Sequence, residues 1–144
     1  MDDELVKAHP AFTRHFSAPI YDDPANELAP FGSDEGWDLL FTVAQRCEEL
    51  TDTATLDDVL ALAEVPVAHE WGENPEGEQW YEAATFVAAA GFTLLRLTGQ
   101  IDPAGHQRTI QAVDILIDYF GEHPDLLQQR ADLQSWPTET ASRG

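Results

Sequence analysis

The chain has 144 residues, is 43% hydrophobic, and sets 27 acids against seven bases for a formal net charge of -20. That length predicts one domain with one sizeable core, and four Trp with seven Phe exclude a disordered acidic chain. The charge excludes direct binding to nucleic-acid phosphates and to anionic membrane surfaces, and it favours cationic partners.

Pro10 is placed to open a short helix through Phe16, with Phe12 and Phe16 four apart on one face. Pro19, Pro24, Pro30 and Gly32 make 17–32 an extended loop, anchored by Ile20, Tyr21, Leu28 and Phe31. Ser33 reads as an N-cap with Asp34 and Glu35 in the first turn, where the helix dipole favours anions. The helix is expected to reach about Leu50, with Trp37, Leu40, Phe41, Ala44 and Cys47 on its apolar stripe, supported by Val43 and Leu50.

Thr55 caps the next helix, and Asp58 three residues on completes a short capping box. Leu56, Val59, Leu60, Leu62 and Ala63 form its apolar side, and Pro66 ends it. Asn74-Pro75 is a helix start, and from Trp80 to Leu97 nearly every face is apolar. A helix of that kind is the buried centre of its domain. Gly99 closes it. Asp102-Pro103 starts a helix to Gly121 with a stripe of Ile110, Val113, Leu116, Ile117 and Phe120. His123-Pro124 starts the last one, using Leu126, Leu127, Ala131, Leu133 and Trp136. No alternating strand run of useful length is present.

The expected architecture is therefore all-α: a single-domain bundle of about five helices around a buried central helix (about 76–98), with an irregular N-terminal segment. The domain is expected to span 1–136, with a frayed tail at 137–144. Cys47 is the only cysteine, so an intrachain disulfide and a cysteine-based zinc site are both excluded, and a buried structural thiol is expected. The acidic start Met1-Asp2-Asp3-Glu4 lacks signal-peptide character, and a cytoplasmic location is expected.

Charge is uneven along the chain. Residues 1–78 hold 19 acids and three bases. Between Arg46 and Arg96 lie 49 residues with 11 carboxylates and no Lys or Arg. The candidate partner-binding residues fall there: Glu48, Glu49, Asp57, Asp58, Glu70, Trp71, Glu73, Glu76 and Glu78. Trp71 sits in a loop amid acids, as an interface anchor would.

Three segments together carry a resemblance: His9-Pro10-Ala11-Phe12, Pro30-Phe31-Gly32-Ser33-Asp34-Glu35-Gly36-Trp37-Asp38, and Gly99-Gln100-Ile101-Asp102-Pro103. On these the chain resembles the YfeS-like group of small, acidic, uncharacterised bacterial proteins, over most of 8–120. The resemblance implies a bacterial, cytosolic, stand-alone domain and assigns no catalytic residue.

Other constellations favour plain readings. Pro30 to Asp38 has the chemistry of a helix start. His69, Glu70, Glu73, Glu76 and Glu78 match neither a zinc helix nor a calcium loop and read as a solvated acidic loop. Asp114 and Asp118 lie four apart, opposite an apolar stripe, and read as a surface pair. The order of Ser, His and Asp residues suggests no triad, and no Gly-rich phosphate loop is present. No cofactor is expected.

The leading function class is a protein-interaction module whose acidic face binds a basic partner. Its sharpest form is an inhibitor, of the immunity type or a nucleic-acid mimic. The alternatives are a metal-dependent helical enzyme using Glu70, Glu73, Glu76 or the Asp114/Asp118 pair, and a structural domain with a salt-adapted acidic surface.

Overall fold

The computed structural model describes residues 8–23, 28–32, 34–50, 54–63 and 78–136. Within them the chain is all-α, with six α-helices and two 3₁₀ turns. The helices are α1 (Pro10–His15), α2 (Asp34–Ala44), α3 (Leu56–Leu62), α4 (Glu78–Thr98), α5 (Pro103–Phe120) and α6 (Pro124–Ser135).

Helix α4 is the hub. It packs against α1, α2, α3 and α5, while α6 packs on α5. From Val87 to Arg96 every residue is buried, so no side of that stretch meets solvent. This all-round burial is what its apolar composition demands. Gly99, in the left-handed region at φ 74°, ends the helix. The Asn74-Pro75 start, the Ser33 cap, Pro66 and the 137–144 tail lie outside the described residues, as does the Cys47 side chain.

Start signals hold where they are described. His9, Asp102 and His123 each cap a helix that opens on Pro. Thr55 and Asp58 form the reciprocal capping box of α3. Asp102 does more than cap its own helix. Its Oδ2 accepts from Gly105 N at 2.9 Å, and its Oδ1 accepts from Leu56 N, in the first turn of α3, also at 2.9 Å. One carboxylate thus satisfies orphan amides of two helices and fixes their starts side by side. The fit is tight: a Cβ on Gly105 would lie 2.7 Å from Leu56 Cβ.

Several expectations change. The helix expected to reach Leu50 stops at Ala44, and Cys47–Glu49 form a 3₁₀ turn. Its inward residues are Leu39, Leu40 and Val43, while Trp37, Phe41 and Ala44 are half-buried. The 17–32 loop contains a 3₁₀ turn at Pro19–Asp22. The buried face of α5 is Gly105, His106, Thr109, Ala112, Val113, Ile115 and Leu116, leaving Ile110 and Ile117 half-buried and Phe120 45% exposed. The cause is close approach of α4 and α5 through small residues, with Gly91 directly against Thr109. On α6 the inward stripe is Leu126, Gln129 and Leu133, so Leu127 and Ala131 are exposed.

Among the described residues five polar side chains are buried: Thr93, Arg96, His106, Thr109 and Gln129. Arg96 is 3% exposed; its Nη1 donates to Tyr21 O at 3.2 Å, and its guanidinium lies over the rings of Phe31 and Phe12 at 5.2 and 5.7 Å. Its own carbonyl accepts from His9 N at 2.7 Å. Buried Thr93 is different, because its hydroxyl has no hydrogen-bond partner among the described residues. Thr98 and Thr109 instead donate to the carbonyls four residues earlier.

Two stability outcomes follow. Asp102→Ala is expected to lower unfolding free energy by about 2 kcal/mol. Asp102→Asn, which keeps one acceptor oxygen, is expected to fall between. Urea unfolding of the three proteins checks the order. Thr93→Val is expected to leave stability unchanged or raise it by about 1 kcal/mol, since it removes an unsatisfied hydroxyl; a lower melting temperature would show that the hydroxyl is satisfied.

Candidate interaction surface

Glu48 and Glu49 project from the 3₁₀ turn after α2, and both are exposed. Arg46 grips Glu49, with Nε to Oε2 at 2.9 Å. In a 3₁₀ turn residues three apart eclipse, which brings the two side chains together. Asp57 and Asp58 stand in the first turn of α3, where the dipole favours carboxylates. Asp58 is used by the capping box, its Oδ2 accepting from Thr55 N at 2.9 Å. Asp57 takes a bond from Arg108 of α5 at 2.7 Å while remaining 73% exposed.

Bases from outside the base-free stretch thus reach onto it, Arg46 locally and Arg108 across the fold. Of its four fully described candidate acids, Glu49 and Asp57 have an arginine and Asp58 has a backbone amide. Such exposed pairs each stabilise by about 0–1 kcal/mol and stay accessible to a stronger cationic partner. Glu70, Trp71, Glu73 and Glu76 lie outside the described residues, as does the side chain of Glu78, whose backbone opens α4.

Among the described residues, no group of three or more His, Cys, Asp or Glu is placed to hold a metal ion. Asp114 instead pairs with Arg130 of α6, and Asp118 is exposed. No described helix is long and apolar enough to cross a membrane.

The fold assembles one cluster that chain order did not suggest: His15, Asp132 and Ser135. His15 Nε2 lies 2.8 Å from Asp132 O and 3.0 Å from Ser135 Oγ. A carbonyl oxygen only accepts, so Nε2 carries the proton. Ser135 Oγ donates to the same carbonyl at 3.0 Å. A protonated Nε2 offers no base to the serine, so this geometry fastens α6 to α1 and does not activate a nucleophile. The Asp132 carboxylate also faces inward, accepting from Tyr21 OH at 2.7 Å and from Gln128 Nε2 at 2.9 Å.

A second surface feature escaped the helical patterns. A small, open apolar indentation lies between Leu28–Pro30, α4, the end of α5 and the start of α6. Leu116, Leu126 and Phe120 form its apolar wall. Beside it Tyr119 and Leu127 are 44% and 42% exposed, and the Tyr119 and Phe120 rings meet edge to face at 4.9 Å. The available signal was two adjacent aromatics before Gly121, which cannot both face inward from one helix.

The three segments behind the family resemblance meet in space. Phe12 and Phe31 flank Arg96, His9 bonds to the Arg96 carbonyl, and the His9 ring lies where a Cβ on Gly99 would stand. Their described part is packing around the end of α4. No protein-family model, no curated protein and no solved structure matches the chain.

Burial, together with the bond to Asp132, holds the Tyr21 hydroxyl well above the usual tyrosine pKa. The folded state then keeps a proton that the unfolded chain releases above about pH 10, so this stabilisation is complete below that pH and is lost as pH rises further. Tyr21→Phe is expected to flatten the fall in stability above about pH 10. Alkaline unfolding followed by phenolate absorbance and circular dichroism tests it; unchanged steepness in the variant would remove Tyr21 as the cause.

Proposed function

We propose that the chain is a protein-interaction module that binds a basic partner through its acidic surface, with inhibition of a cationic protein as the sharpest form. One observation carries the reading: the excess of 27 acids over seven bases, with Glu48, Glu49, Asp57 and Asp58 all on the surface. A surface of this sign raises the rate of encounter with cationic partners and repels phosphates. Kinship with the YfeS-like group is part of the same proposal and adds no activity to it.

The metal-dependent reading draws no support from Asp114, which is engaged by Arg130. Salt adaptation predicts the same composition and a different behaviour, namely a melting temperature that climbs steeply into molar KCl. The interaction reading requires salt to weaken association, because exposed charges are screened beyond about 10 Å at 0.1 M ionic strength.

The experiment is affinity capture on the immobilised chain from extract of its source cell, at low and at moderate salt. Basic proteins are expected to be retained at low salt and released at moderate salt. Glu48→Gln with Glu49→Gln is expected to slow association with the captured partner roughly tenfold, with the fold intact by circular dichroism. Recovery of no basic protein at low salt would end the proposal.

A further inference from the structure

We infer that α6 is a hinged flap, which swings off α5 as a unit about Gly121–His123 and is closed by a latch at Asp132–Trp136.

The hinge is a short joint in open solvent. Residues 121–124 are all exposed. Gly121 takes φ 99°, a conformation that favours glycine. A β-carbon there would meet nothing within 4 Å, so glycine is needed for its backbone and not for room. His123 N donates to Gly121 O at 2.7 Å, which closes a γ-turn around Glu122. A joint of this kind turns on a few dihedrals, and none of its side chains is buried.

The latch lies at the far end of the helix. His15 Nε2 donates to Asp132 O at 2.8 Å, and Tyr21 OH donates to Asp132 Oδ2 at 2.7 Å. His106 Nε2 donates to Leu133 O at 2.6 Å. Trp136 stacks on Phe16 with 5.5 Å between ring centroids. Between hinge and latch the buried side chains of α6 are Leu126 and Gln129. The exposed pair of Arg130 with Asp114 adds little to them.

Water acts differently on the flap and on the core. When α6 lifts, its polar groups exchange protein partners for water, so each broken bond costs only a small part of its gross energy. Of its own apolar side chains, only Leu126 and Leu133 leave full burial. Helix α4 buries every residue from Val87 to Arg96, and α5 keeps its packing on α4 while α6 is away. An element with little apolar burial and mostly directional ties opens below the free energy of global unfolding.

The test is native-state hydrogen exchange of the intact protein, read residue by residue by nuclear magnetic resonance. Amides of 128–135 are expected to share one opening constant and to exchange roughly tenfold or more faster than those of 87–95, after correction for intrinsic rates. Low urea is expected to change the α6 rates little and to accelerate α4 steeply, because flap opening exposes less surface. Tyr21→Phe removes one latch bond and is expected to speed α6 exchange about tenfold. Gly121→Ala strains the closed joint and is expected to do the same. Thr55→Ala weakens the α3 cap, which stays intact in the open state. It is expected to speed α4 exchange about fivefold and to leave α6 unchanged.

Equal protection of α6 and α4 overturns the inference, as does α6 exchange that follows Thr55→Ala. Rates that rise steadily toward Ser135, with no shared opening constant, mean fraying and overturn the flap. Unchanged α6 exchange in Gly121→Ala removes the hinge and overturns it too.

Discussion

Everything in this structure answers to the burial of α4. An α-helix normally keeps one face for solvent, yet ten consecutive residues here, from Val87 to Arg96, have none. Each must be covered by another element, so α1, α2, α3 and α5 are arranged around one axis. The small residues Ala88, Ala89, Ala90 and Gly91 let the covering helices come close. Close approach in turn determines what can face them, which is why Thr109 and Ala112 occupy the centre of α5's inner face while larger side chains sit at its edges.

Apolar cover alone does not hold the ends of the chain. Helix α1 has six residues and α6 buries only two leucines, too little to form stably by themselves. Directional bonds make up the difference. His106 donates to Leu133 O at 2.6 Å, Tyr21 to Asp132 and Gln129 to Leu28 O, so α6 is tied to α5 and to the N-terminal segment. Asp102 plays the same part between α3 and α5. Arg96 gathers the N-terminal rings around the end of α4. Buried polar groups of this sort stabilise only when their bonds are made, and Thr93 is the exception among the described residues.

The acids answer to a different constraint. A net charge of -20 disfavours the compact state, and the fold relieves part of that by using carboxylates as structural parts. Asp58 and Asp102 cap helices, Asp132 accepts the hydrogen bond of the Tyr21 hydroxyl, and Glu49, Asp57 and Asp114 each meet an arginine. Glu48, Asp118 and Glu122 are among the carboxylates left exposed.

The sequence by itself determined the all-α class, the central position of the 78–98 helix, and the starts at Pro10, Leu56, Pro103 and Pro124. Those depend on local chemistry: periodicity, Pro at the first helical turn, and side chains that reach an amide two or three residues away. It also determined the net charge of -20. Only the tertiary structure decided which face of each helix is buried. Rotation of a helix about its axis is set by what it meets, so the contact of Gly91 with Thr109 leaves Phe120 exposed on α5, and the inward turn of Leu126, Gln129 and Leu133 leaves Leu127 exposed on α6. Likewise it decided that Arg108 crosses to Asp57 and that Asp102 serves two helices, because bonds between residues about fifty positions apart have no local signature.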